Sequence, residues 1–337
     1  MSLYAFDAID DAFAATRSFL WPFDLGRWAR LALVVFFLGG AGGGFNPSSG
    51  FNVPSSGGGG TPPPSGMPSG FPSIGGPELA IIATIAAVIL AIVLVLMIVG
   101  SIMEFVFVES LRREEVHVRR YWSEYWGKGL RLLGFRLVVG LVTLAIFAGL
   151  VVIALAPIIF DSGGLSIPLV VLAVLVFILV AILGGVINGF TTVFVVPVMM
   201  AEDVGVLAGW RRFWATMTGQ WKQYGAYLIM GFVLQIAAGL ISGIGTLILA
   251  VLLAIPFGII ALVGAGLLSV ASIAGWILIG IAAVLFGLSV IAVALLVAVP
   301  VQTFLRYYAL FVLGDTNEEF DLIAERRTAI RGDGTEA

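Results

Sequence analysis

From Gln223 to Leu305 the chain runs 83 residues without one charged side chain. A helix crosses a hydrocarbon core of about 30 Å with about 20 residues. A stretch this long therefore exceeds any single crossing, and no water-soluble domain keeps so much chain free of charge. Further uncharged stretches at 31–77, 79–103, 137–160 and 162–201 bring the total to 219 of 337 residues. Overall the chain is 60% hydrophobic and 11% charged, with a mean hydropathy of +1.12. Such a composition cannot supply the polar skin of a soluble globule, and it is too apolar for disorder. The fold class read from it is an all-α, polytopic transmembrane helix bundle.

The gaps place the crossings. Segments 79–103 and 137–160 hold one each, and 162–201 holds one long crossing at about 169–199. Residues 39–77 contain 14 Gly, 8 Pro and 7 Ser. That composition has no stable helical state and cannot satisfy its backbone in lipid, so it reads as a disordered extramembrane linker. A short first crossing, about 25–45, precedes it, with Arg27 and Arg30 snorkelling from one end. The acidic start (Asp7, Asp10, Asp11) argues against a signal peptide. Run 223–305 holds two or four crossings, with breaks expected at Pro256 and the Gly264–Gly266 pair. An even count follows because basic clusters fall at residues 17–30, 112–136, 211–222 and 306–331, while the linker and 161–168 contain none. Positive loops stay inside, so both termini are expected in the cytoplasm and the linker outside the cell membrane, with about six crossings. The division is then 1–38, an interfacial helix and first crossing; 39–77, the linker; 78–313, the transmembrane bundle; and 314–337, a cytoplasmic amphipathic helix and tail. In that last part Gly314 is expected to stop the final crossing, and Thr316 with Glu319 to form a capping box.

Two loops resemble each other. RRYW at 119–122 precedes a crossing, and its return ends in VPV at 196–198; RRFW at 211–214 does the same with VPV at 299–301. The N-terminal TRSFLWPF would then be a third, diverged unit of an interfacial basic-aromatic helix followed by two crossings; the alternative is chance, since Arg and Trp sit at the interface in every membrane loop. In segment 110–132 arginines alternate with rings, the pattern of a helix lying in the headgroup layer. Arg112, Arg113, Arg119, Arg120, Trp122 and Trp126, with Arg211, Arg212 and Trp214 in the second copy, are the candidate contacts to anionic lipid headgroups. Anchoring and topology alone explain the same pattern.

Within the crossings, Gly185–Gly189 and Gly239–Gly243 are small-xxx-small pairs expected to let helices approach closely. Asn188, Thr191, Thr192 and Gln235 are expected to hydrogen-bond neighbouring helices. Glu104 and Glu109 lie nearest an apolar run; Glu109 precedes Arg112 and Arg113 by three and four residues, so a solvated helix-surface pair is the simpler reading and a buried functional carboxylate the sharper one.

Function classes narrow by elimination. Without cysteine and with one histidine, His117, thiolate chemistry and clusters of imidazole metal ligands are excluded. No phosphate-binding loop or nucleophile elbow appears, and a net charge of −3 argues against nucleic acid. No cofactor is expected. TRSFLWPFDLGRWARLALVVFFLGG (16–40), RREEVHVRRYWSEYWGKGLRLLGFRL (112–137) and RYYALFVLGDTNEEFDLI (306–323) resemble a family of uncharacterised multi-pass membrane proteins from halophilic archaea. More distantly, the chain is similar to the membrane domain attached to some glycerophosphoryl diester phosphodiesterases. The resemblance implies a cell-membrane, all-helical protein and brings no activity. The expectation is a non-catalytic lipid-interacting or scaffold protein with membrane lipids and unidentified proteins as partners. The alternative is a permease built from internal repeats, which needs convergent polar groups at mid-membrane around Pro157 and Pro256.

Overall fold

The computed structural model describes residues 4–39, 76–159 and 167–333; the linker expected at 39–77 falls outside them, except for Gly39 and for Gly76 and Pro77, which open a helix. Every regular element among the described residues is helical. In chain order they are α1 (Tyr4–Leu20), α2 (Leu25–Phe37), α3 (Gly76–Arg113), α4 (Val118–Ile159), α5 (Ile167–Phe190), α6 (Val196–Ala201), α7 (Val206–Gly219), α8 (Trp221–Leu267), α9 (Ser272–Thr316) and α10 (Ala324–Asp333). A π-helical turn, Thr191–Val195, joins α5 to α6.

Five helices are long and apolar enough to cross a membrane: α3, α4, α5 continued through α6, α8 and α9. The first crossing, expected at about 25–45, coincides among the described residues only with α2, whose 13 residues span about 20 Å, less than a bilayer core needs. Run 223–305 holds two helices rather than four. They turn at Leu268–Ala271, just beyond Gly264 and Gly266, while Pro256 lies inside α8. Helix α9 likewise passes Gly314 and ends at Thr316. The cap that follows is Asn317, whose side chain accepts from the Glu319 amide at 3.0 Å, in place of the Thr316–Glu319 box.

The helices divide into two zones. At one end α1, α2, α7 and the inner parts of α3, α4, α6, α8 and α9 enclose a common core that includes Ala8, Phe19, Leu31, Phe105, Phe194, Phe213 and Phe311. Phe194 stacks on Phe213 at 5.1 Å, Tyr224 and Tyr227 pack edge to face on this pair, and Tyr227 stacks on Tyr308 at 5.3 Å. Away from this base, the outer halves of α3, α4, α5, α8 and α9 carry their leucines, isoleucines and valines outward. Hydrophobic burial holds the base together; the arms expose apolar surface on a scale that water does not tolerate.

Close approaches between helices rest on other glycines than the sequence pattern suggested. A Cβ at Gly185, Gly189, Gly239 or Gly243 would meet no atom within 4 Å. At Gly129, by contrast, it would lie 2.5 Å from Ile102 Cγ1 and 3.0 Å from its Cα, so α3 and α4 cross where α4 has no side chain. Gly264 and Gly275 face each other the same way beside the α8–α9 turn. Gly129→Ala is expected to destabilise by about 1–3 kcal/mol through overpacking, with Gly185→Ala and Gly239→Ala near neutral. Thermal unfolding of the purified variants checks this; equal losses at all three positions would contradict it.

A buried ionic joint where four segments meet

Glu104 on α3 is 2% exposed and stands between two arginines that are also buried. Arg136 of α4 donates to Glu104 Oε1 at 3.2 Å, and Arg306 of α9 donates to Oε2. Both guanidinium groups also reach the π-helical turn. Arg136 donates to Thr192 Oγ1 at 2.7 Å, and Arg306 donates to the Thr192 carbonyl at 2.6 Å. Phe107 lies under Arg306, with its ring centroid 5.7 Å from Cζ. Two cations on one carboxylate leave an excess positive charge, which this ring face and the Thr192 oxygens offset.

That carbonyl is available for a local reason. In the π-turn the Val196 amide bonds back to Thr191, five residues earlier. The next amide in the series would belong to Pro197, which has none, so Thr192 keeps a free acceptor inside the protein. A neighbouring bond repeats the theme: Trp210 of α7 donates its indole N–H to Thr191 Oγ1 at 3.0 Å. Thr191 and Thr192 thus bridge helices as their sequence positions suggested.

Carbonyls at helix C-termini, which have no partner inside their own helix, are met from other elements across the base. Tyr307 donates to Leu111 of α3, Lys128 to Met199 of α6, Gln220 to Thr316 of α9, and Arg27 to Phe19 of α1. Lys128 also pairs with Asp203 at 2.7 Å, and that hydrogen bond holds the Asp203 carboxyl below its ordinary range. The C-terminal segment is held to the same end. Arg331 of α10 grips Asp315 through two bonds of 2.9 and 2.8 Å and reaches Asp11 of α1; Arg327 pairs with Asp315 and Asp321. Burial pushes the Asp321 carboxyl up.

The candidate headgroup residues separate into two sets. Arg112 and Arg113 are tied to Glu109, whose side chain is fully buried rather than solvated, and Arg212 pairs with Glu202 at 3.3 Å. Arg119, Arg120 and Arg211 are exposed and have no carboxylate partner among the described residues. Trp126 and Trp214 are exposed, while Trp122 is half-buried with its ring 5.6 Å from that of Trp126. Segment 110–132 is also not one helix: α3 ends at Arg113, Glu114 takes a left-handed backbone, and α4 starts at Val118 and runs on into its crossing. Phe13, Trp21 and Leu207 extend the exposed apolar girdle around this end. Among the described residues no group of His, Cys, Asp and Glu is arranged to hold a metal.

The simpler expectation of a solvated helix-surface pair fails at Glu104, which is buried and whose partners lie 32 and 202 positions away. Removing one member of a buried ion pair strands the others, at a cost of roughly 3–5 kcal/mol. Glu104→Gln is expected to lose stability on that scale. In a double-mutant cycle with Arg306→Gln the pair should cost less than the two single losses added, by about 0.5–3 kcal/mol. Unfolding of each variant in mixed detergent micelles measures the coupling; strict additivity would show that the contact carries no energy.

A model described as a family of unknown function (DUF7544) matches residues 3–323. No curated protein and no solved structure matches the chain.

Proposed function

Because the chain belongs to DUF7544, a family of unknown function, we propose its role from its own geometry: a non-catalytic integral membrane protein that binds lipid and serves as a scaffold. The observation that carries this reading is the contrast between a base closed by ionic and hydrogen-bonded contacts and arms whose apolar faces are left for lipid. Around Pro256, where a transport site would gather polar groups, Ala254, Phe257 and Gly258 instead face Ile279, Ala282 and Phe286. The ionic joint sits at the basic end and is filled by its own residues, which suits a structural role. The base, with both termini and the basic turns, lies on the cytoplasmic side of the cell membrane, with α2 beginning a sixth crossing and residues 39–77 outside.

On this reading Arg119, Arg120 and Arg211 meet anionic headgroups while Trp126 and Trp214 sit at the acyl boundary. Each arginine near an anionic surface contributes about 1 kcal/mol. The triple variant Arg119→Gln, Arg120→Gln, Arg211→Gln should therefore weaken the preference for acidic over neutral lipid by on the order of 100-fold. Arg112→Gln, whose guanidinium is engaged by Glu109, should change it little. Competition between acidic and neutral lipids on the purified protein, followed by native mass spectrometry, reads both. Unchanged preference in the triple variant would reject the assignment of these arginines, and solute flux through proteoliposomes of the native chain would reject the scaffold reading.

A further inference from the structure

Because Glu104, Arg136, Thr192 and Arg306 touch, they set one common level from which the lengths of the arms are compared. At 1.5 Å per residue, α3 extends about 28 residues beyond it, or roughly 42 Å. Helix α4 extends about 23 residues, roughly 35 Å, and α5 about 25 residues, roughly 37 Å. Helix α9 extends about 34 residues, roughly 51 Å. Its partner α8 follows it the whole way, from Tyr224 against Thr316 at the base, through Gly245 against Val297 and Phe257 against Phe286, to Gly264 against Gly275 beside the turn. The α8–α9 hairpin thus extends roughly 9–16 Å beyond the described lengths of the other arms.

The excess is not polar. Every residue between Gln223 and Leu305 is uncharged, and at the turn Val270, Ile273 and Trp276 are 87%, 76% and 66% exposed. An upright hairpin in a bilayer matched to the other arms would hold this tip in water, where apolar surface is disfavoured. A helix longer than the hydrocarbon is thick tilts instead. We propose that the α8–α9 hairpin tilts more than the other arms and lodges its tip among the acyl chains and headgroup boundary of the far leaflet, so that lipid is the occupant of the tip surface. Trp276, one turn and more below the tip, is the residue type that settles at such a boundary.

This inference rests on the membrane reading above and fails separately from it. The chain has no cysteine, so Val270→Cys, Ile273→Cys and, as an aqueous control, Ala329→Cys on the exposed face of α10 each introduce a unique thiol. The full chain is placed in nanodiscs of phosphatidylcholine with 14-, 18- or 22-carbon chains and treated with a membrane-impermeant maleimide. The control thiol is expected to react fully in all three, and the tip thiols at least ten-fold more slowly in all three. A bimane on Cys at 270 is expected to be quenched by bromines on the acyl chains. Fast tip labelling in the thinnest discs, returning to slow in the thickest, would mean a rigid upright hairpin and overturn the proposal. Disulfide-linked dimers of Val270→Cys in liposomes would overturn it in favour of a second copy as the occupant. A native chain that fails to enter nanodiscs at all would defeat the membrane reading and this inference together.

Discussion

One carboxylate fixes the relative height of four segments. Glu104 binds Arg136 and Arg306, both arginines bind Thr192, and so α3, α4, α9 and the π-turn cannot slide past one another by a turn without stranding a buried charge. Hydrophobic contacts alone would allow such slippage, because leucines and valines one turn apart are nearly interchangeable along these helices. Replacing a buried ion pair with apolar residues often leaves stability unchanged or improves it. The joint therefore serves register rather than strength, and the surrounding capping of C-terminal carbonyls by Tyr307, Lys128 and Gln220 acts in the same sense.

The base and the arms obey different solvents. In the base, aromatic and aliphatic side chains from α1 to α9 bury one another, and each buried polar contact described above is a directed hydrogen bond or ion pair. In the arms, backbone groups are satisfied within each helix and the side chains face outward, which is the arrangement that hydrocarbon requires. Packing there is confined to pairs, α4 with α5 and α8 with α9, as seen in the contacts of Phe147 with Phe177 and Phe257 with Phe286.

Much of this was legible in the order of residues. Gaps between charges located α3, α4, α5, α8 and α9 because length and hydropathy suffice to define an apolar helix. Of the two breaks expected in 223–305, the Gly264–Gly266 pair lies just before the observed turn, while Pro256 is carried inside α8, because proline breaks helices in water but a long apolar helix accommodates it. The glycine pairs misled for another reason: spacing says which residues share a face, but not whether another helix lies opposite. Gly129, in no small-xxx-small pair singled out beforehand, is the one that meets Ile102. Glu104 was the largest miss. Local spacing sees Arg112 and Arg113 beside Glu109, and it has no view of Arg136 or Arg306; a lone acid inside the inner end of an apolar run was the one available sign.

The π-turn at Thr191–Val195 has a consequence for how this joint arises and is lost. A π-turn is an α-helix holding one surplus residue, so the acceptor that Arg306 uses exists because of chain length as much as residue identity. Excising any single residue between Thr191 and Val195 would rewind the segment by about 100° and carry α6 and everything after it to a different azimuth. Loss of one residue from this short window, with every side chain of the joint kept, would therefore remove the acceptor on which Arg306 depends.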